Sequence, residues 1–234
     1  MTAHVSLAPT TLILLRHGET EWNLSGRWQG QAADTPLTAL GREQARIVAR
    51  RLRSYPIDAI YSSNLLRAFE TAEIVGQALG VAPIAEPALR ESDIGAWTGL
   101  TWDEITVRFP AEVAAMVAGQ DVRRGGGETY AELQARLAAA AEAIAARHPG
   151  QTVLLVSHGA ALRSLVAHVL DASLTQLNRI AIGGNTALSV LQMRHGHLRL
   201  VSYNDSAHLD NGLFQESNAE GAGSSQPTRE GKSE

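Results

Sequence analysis

The chain is 234 residues long, with 44% hydrophobic and 19% charged residues, a composition that supplies a core and excludes a wholly disordered chain. Its net charge of -4 argues against a nucleic-acid-binding protein, which carries a basic face, and the absence of cysteine excludes disulfides and thiolate metal sites. No apolar run is long enough to span a bilayer and no basic-then-apolar leader opens the chain, so the expectation is a soluble cytoplasmic protein without membrane or nucleic-acid partners.

Residues 1–10 are polar and aperiodic and read as a flexible extension. The apolar run over residues 11–15 predicts a buried strand that stops abruptly at Arg16-His17-Gly18. A long loop follows to Pro36, rich in Gly, Trp, Gln and Asn, and loops of that length in compact domains are more often functional than not. Within it, Glu19 and Glu21 read as surface acids. Thr38 suits a helix N-cap, and Leu40, Ala45, Val48 and Leu52 give the helix over residues 39–54 an apolar face. A short strand over residues 57–61 runs into Ser62-Ser63-Asn64. The next helix, residues 65–79, closes at Gly80, and residues 81–84 fit another strand.

Residues 86–101 lack periodicity and are expected to lie over the sheet tips. Helices over 102–109 and 111–118 are separated by Pro110, and Arg123 to Gly127 reads as a flexible loop. Thr129 and Glu132 have the spacing of a capping box, opening an alanine-rich helix that runs to His148. Residues 152–157 form a second apolar, β-branched run ending in His158-Gly159, followed by a helix over 160–170 and strands over 186–193 and 198–203. Beyond Phe214 the chain is Ser, Gly, Glu and Pro, a disordered tail over residues 215–234. Strands alternating with helices predict an α/β protein: a three-layer α/β/α sandwich with a mostly parallel sheet, one domain over residues 11–214, and a small helical insertion between Glu91 and Thr129.

Two strands far apart in sequence therefore finish in the same way. One His-Gly pair reads as a turn glycine beside a satisfied histidine. Two at the same structural position, one preceded by arginine, point to a ligand site at the carboxyl ends of the strands. Arginine offers a planar fork for phosphate oxygens, histidine suits nucleophilic or proton chemistry near neutral pH, and glycine admits close backbone approach. The chemistry points to a phosphate group. His168, His195, His197 and His208 have no metal-ligand spacing, so neither a metal nor a cofactor is expected.

Leu14-Leu15-Arg16-His17-Gly18-Glu19-Thr20-Glu21-Trp22-Asn23 resembles the signature of the histidine phosphatase superfamily, in its phosphoglycerate-mutase-like branch. The likeness continues through Asp34-Thr35-Pro36-Leu37-Thr38 and Ser62-Ser63-Asn64-Leu65-Leu66-Arg67-Ala68. Leu89-Arg90-Glu91, Trp97-Thr98-Gly99-Leu100, Gly127-Glu128-Thr129 and Ser157-His158-Gly159 complete it. It implies that His17 attacks phosphorus, that Arg16, Arg67 and His158 surround the transferring phosphoryl group, and that Glu91 is the general acid, with Asp93 its nearest rival. Asn23, Gln29 and the Gly159 amide are the implied further phosphate donors, with Gly18 lining the same site.

The resemblance implies a metal-independent phosphomonoesterase acting on small phosphorylated metabolites. Cofactor-dependent phosphoglycerate mutase is the alternative, and a catalytically idle phosphate-ligand-binding protein a more distant one. Mutases of this kind carry a Glu-Arg-His-Tyr block where this chain has Glu91-Ser92-Asp93-Ile94, and the segment Trp28-Gln29-Gly30 is similar to phosphatase members. A mutase also needs extra cations, which Arg108, Arg123 and Arg124 could supply. Trp22, Trp28, Trp97 and Trp102 suggest a pocket with an apolar wall, with core packing the expectation for at least two of them. The sequence leaves oligomeric state open, homodimers being common among such proteins.

Overall fold

The run Leu12-Ile13-Leu14-Leu15 is continuously apolar because its strand, β1 (Thr10–Arg16), is covered on both faces. Leu12 and Leu14 enter one core, Ile13 and Leu15 the other. The computed structural model describes residues 8–31 and 35–209. The first seven residues of the predicted extension, Asp34 and the predicted tail beyond Phe214 lie outside the described residues.

After β1 come α1 (Glu21–Leu24), α2 (Ala39–Leu52), β2 (Ile57–Ser62), α3 (Leu66–Leu79) and β3 (Pro83–Ala85). Then follow α4 (Trp102–Arg108), α5 (Pro110–Val117), α6 (Tyr130–Arg147), β4 (Thr152–Ser157), α7 (Gly159–Val169), α8 (Leu174–Leu177), β5 (Leu188–Arg194) and β6 (His197–Asp205). The sheet order is β3-β2-β4-β1-β5-β6. The pairs β2–β3, β2–β4 and β1–β4 are parallel, while β5 and β6 add an antiparallel edge. This is the expected mostly parallel α/β sandwich.

Val48, Ala49 and Leu52 of α2 and Ala68, Ala72 and Val75 of α3 cover one face. Leu133, Leu137, Ala141 and Ile144 of α6 and Ala161, Leu165 and Val166 of α7 cover the other. The helix following β1 thus packs on one face and the helix following β4 on the opposite face. Adjacent parallel strands whose connections diverge in this way leave a crevice beyond their carboxyl ends. A third cluster joins Ile94, Trp97 and Ile105 to Trp28, Trp102 and Phe109 and forms the core of the insertion. Trp28 stacks on Trp102 with ring centroids 5.7 Å apart, so three of the four tryptophans are packing residues. Among the described residues, no helix is long and apolar enough to cross a membrane.

Several local expectations are corrected. The long loop after β1 contains α1, whose Thr20–Asn23 capping box is a short-range signal within it. Glu19 is buried, not a surface acid: its carboxylate accepts from Thr38 Oγ1 at 2.9 Å, and its backbone N–H donates to Gln44 Oε1 at 3.0 Å. Leu40, in the first turn of α2, is exposed, and that helix ends at Leu52. Arg123 to Gly127 is an ordered turn rather than a flexible loop, with Arg124 buried on Ser92 Oγ at 2.6 Å and 3.9 Å from the Tyr130 ring. The strand predicted from residue 186 begins at Leu188, because Thr186 adopts φ 60° and breaks the extended run.

Candidate active site

The β1–β4 register pairs Arg16 with Ser157, so the two His-Gly pairs stand side by side where the strands end. The backbone N–H of His17 donates to Ser157 O at 3.0 Å, and the His17 and His158 rings lie 5.1 Å apart, centroid to centroid. Both rings are buried. Gly18 and Gly41 let the chain turn here: a Cβ on either would strike backbone of the other segment, Gly41 carbonyl in one case and Glu19 carbonyl in the other.

His17 Nδ1 lies 2.7 Å from Gly18 O. Burial first, then the guanidinium groups of Arg67 and Arg16, hold the His17 imidazole well below the usual histidine range, against an opposing pull from the Gly18 carbonyl. The His17 backbone carbonyl accepts from Asn185 Nδ2 at 3.0 Å and from Thr186 N at 3.3 Å. Thr186 is a buried β-branched residue in left-handed backbone space, a strained conformation beside the strand tip.

His158 Nε2 lies 2.8 Å from Ser63 Oγ, while its Nδ1 is buried without a protein partner. Burial lowers its pKa well below the usual range, reinforced by Arg67, His17, Arg16 and Arg136. Arg67, in the first turn of α3, is fully buried and donates through Nη2 to Gly30 O at 2.9 Å. Arg16 donates through Nη1 to Gly183 O at 2.7 Å. Gly159 opens α7, and a Cβ there would lie 3.5 Å from the Arg16 guanidinium carbon and 2.7 Å from Ile182 Cγ2. The arginine fork therefore sits against the amino end of a helix, the end that favours anions.

Glu91 meets the same helix end. Its Oε1 accepts from Ser92 N at 2.8 Å and Ala161 N at 2.9 Å, and its Oε2 accepts from Ala160 N at 3.1 Å. Asp93 is turned elsewhere, its carboxylate accepting from Gly95 N at 2.9 Å. Asn23 is buried, with Oδ1 accepting from Thr20 N, Thr20 Oγ1 and Asn185 Nδ2, so whatever its amide donates comes from Nδ2. Gln29 Oε1 is taken by Thr35 Oγ1 at 2.7 Å, which leaves its NH₂ as the donating end. Gly18 uses its N–H on Thr71 Oγ1 at 3.1 Å and its carbonyl on His17. Among the described residues, no group of three or more His, Cys, Asp or Glu side chains is placed to hold a metal ion.

Ser63, Thr71 and Asn185 were not expected to be site residues. Ser63 lies inside the similar stretch Ser62 to Ala68 and Thr71 three residues beyond it, but their partners are His158 and Gly18, distant in sequence. Asn185 follows Gly183-Gly184, a turn composition that signals no chemistry by itself.

The histidine phosphatase superfamily (branch 1) matches residues 12–206. The metal-independent phosphoserine phosphatase of Arabidopsis thaliana is 34% identical over 205 residues, covering 86% of this chain and 83% of that one. A probable phosphoglycerate mutase GpmB of Proteus mirabilis is 38% identical, covering 85% and 87%. A solved phosphoserine phosphatase mutant from Entamoeba histolytica, in complex with phosphoserine, superposes with a TM-score of 0.77 at 33% identity, covering 86% of this chain and 99% of its own. With two histidines and two arginines gathered at the ends of β1 and β4 and a family match along nearly the whole described chain, the protein belongs to branch 1 of the histidine phosphatase superfamily.

Proposed function

We propose that this phosphoric monoester hydrolase cleaves small phosphorylated metabolites, without a metal, through a phosphohistidine formed on His17. The observation that carries the reading is the His17 Nδ1 to Gly18 O hydrogen bond. A carbonyl oxygen only accepts, so Nδ1 carries the proton and Nε2 of the neutral ring keeps its lone pair. Burial and two flanking arginines keep that ring neutral.

In the first step His17 Nε2 attacks phosphorus, the ester P–O bond breaks, and the leaving oxygen takes a proton from Glu91. Glu91 Oε1 already accepts two N–H groups and Oε2 only one, so the proton is carried on Oε2. In the second step water attacks the phosphohistidine and gives a proton to Glu91, releasing inorganic phosphate and neutral His17. Arg16 and Arg67 offset the phosphoryl charge throughout, with the amino end of α7 beside them. With Ser63 Oγ donating to His158 Nε2, 2.8 Å away, Nδ1 carries the ring proton and is the nitrogen available to a phosphoryl oxygen. Asn23 Nδ2, the NH₂ of Gln29 and the Gly159 amide are the neutral donors.

The state of two of the three candidate cations, Arg123 and Arg124, favours hydrolysis over mutase chemistry. Arg123 is bonded to Gly127 O and Glu132, and Arg124 is buried on Ser92 and Tyr130, so neither is placed to retain a second phosphate. The names of similar proteins make phosphoserine and 3-phosphoglycerate the first substrates to try. The test is phosphate release from these two esters and p-nitrophenyl phosphate with EDTA present, comparing wild type with His17→Ala. Release that resists EDTA and disappears in the variant supports the proposal. Conversion of 3-phosphoglycerate to its 2-isomer without release assigns a mutase instead, and binding of phosphate without turnover of any ester assigns the idle protein.

A further inference from the structure

Glu91 sits in a stretch between β3 and α4 that holds only two three-residue turns, Pro87–Leu89 and Gly95–Trp97. A proton donor must be held to a fraction of an ångström, and neither turn provides a regular ladder to do this. The stretch is held by Arg136 of α6 and Glu128, the acid of the Gly127-Glu128-Thr129 motif, to which the mechanism above assigns nothing.

A guanidinium has five N–H groups, and all five of Arg136 are used. Nε donates to Glu128 Oε1 at 2.9 Å, and Nη2 to Glu128 Oε2 at 2.8 Å, a bidentate pair. Nη1 donates to Ala88 O at 2.8 Å and Arg90 O at 3.1 Å, and the second Nη2 hydrogen goes to Glu91 O at 3.3 Å. Glu128 continues the grip on the other side of the acid. Its Oε2 accepts from Asp93 N at 3.0 Å, and its own N–H donates to Asp93 O at 2.8 Å. Gln31 Nε2 adds a further bond to Glu91 O at 2.7 Å. The backbone is thereby pinned at residues 88, 90, 91 and 93, on both sides of the side chain that reaches α7.

We infer that Arg136 and Glu128 form a clamp that positions Glu91 as the general acid, Arg136 as a five-donor fork and Glu128 as the anion that orients it. They are positioning residues; neither touches the reacting atoms. The inference rests on the assignment of Glu91 as acid, and the test separates the two.

A p-nitrophenyl ester leaves as a stabilised phenolate and needs little proton donation, whereas an alkyl ester such as glycerol 2-phosphate needs it fully. The readout is the ratio of kcat/KM on the alkyl ester to kcat/KM on the aryl ester, measured for wild type, Glu91→Gln, Arg136→Gln, Arg136→Lys and Glu128→Gln. Arg136→Lys and Glu128→Gln keep most of the side-chain bulk, and a cooperative thermal melt of each confirms folding. The clamp predicts that the ratio falls by at least about tenfold in Glu91→Gln and in each clamp variant. It predicts failure of Arg136→Lys as well, since a point charge with three donors cannot replace the fork. In the double variant Glu91→Gln/Arg136→Gln the ratio falls no further than in Glu91→Gln alone, as for residues acting through one group. An unchanged ratio in Glu91→Gln overturns the acid assignment. A changed ratio in Glu91→Gln with unchanged ratios in the folded clamp variants, or equal losses on both esters, overturns the clamp.

Discussion

His17 Nδ1 and the carbonyl oxygen of Gly18 are 2.7 Å apart, so the tautomer of His17 is set by its own neighbour in the chain. The same residue pair serves a turn: Gly18 N–H is bonded to Thr71, and Gly18 stands against the first helical turn of α2. Tautomer and chain path are therefore one constraint.

Acid should act on this protein through its two buried histidines. Both His17 and His158 have folded pKa values held well below the ordinary 6.5 by burial and by arginines. Above 6.5 both states are neutral and neither histidine contributes. Below it the unfolded chain takes up protons that the folded chain refuses, so stability falls as pH drops from 6.5 toward the folded pKa values, by up to about 1.4 kcal/mol per pH unit for each histidine. Urea midpoints across this range check the slope, and the double variant His17→Ala/His158→Ala should flatten it. Histidine 15N NMR at about pH 6 should show both rings still neutral, with His17 protonated on Nδ1.

Asn185 links His17 to Asn23, its Nδ2 donating to both His17 O and Asn23 Oδ1. Removing the amide leaves buried acceptors short of a donor, a cost of about 1–3 kcal/mol. Asn185→Ala should therefore lower the unfolding midpoint. It should also lower kcat/KM, because Asn23 loses one of the three donors that fix which end of its amide is oxygen. Asn185→Asp, which keeps the shape but cannot donate when ionised, should be no better. Retention of full activity by both variants would contradict this account.

Gly159→Ala tests the approach of Arg16 to α7. The new Cβ would fall 2.7 Å from Ile182 Cγ2 and 3.5 Å from the Arg16 guanidinium carbon. The isoleucine must move, and the expected result is a folded enzyme with a raised KM and weaker inhibition by inorganic phosphate. Adding Ile182→Ala removes the obstructing methyl and should recover part of the loss. Phosphate inhibition constants for the two variants decide the point.

Gly41→Ala should behave differently, because its Cβ meets Glu19 backbone that cannot swing aside. Overpacking of this kind costs about 1–3 kcal/mol. Displacement of residues 18 and 19 would also pull on the His17 turn, so we expect a lower melting temperature together with reduced kcat. Calorimetry and kinetics on one preparation show whether the two effects travel together.

Much of this was legible in the chain itself because some signals are local. The strand tips at Arg16-His17-Gly18 and Ser157-His158-Gly159 announce themselves, as an apolar run ending in polar chemistry does. The caps at Thr38, Thr129 and Gly80 likewise need only neighbouring residues. What needed the fold were contacts between distant segments. Ser63 reads as one more serine until β2 and β4 are paired and it meets His158. Glu19 reads as a surface acid until Thr38 closes over it. The glycines after Arg124 read as flexibility, but the turn they form packs against residues 93–97, where backbone runs too close for side chains. Glu91 itself was identified by resemblance, since nothing in its neighbourhood separates it from Asp93.

The insertion of β4 between β1 and β2 has a consequence for the biosynthesis of this protein. While the chain is emerging, β1 and β2 exist long before the strand that joins them, so their apolar edges wait unpaired and are open to wrong partners. Pairing across such a sequence separation is slow relative to local structure. Reactive competence comes with that closing event: no fragment ending before residue 158 places a second histidine beside the first. A nascent chain of this protein should be the ward of a chaperone before it is an enzyme.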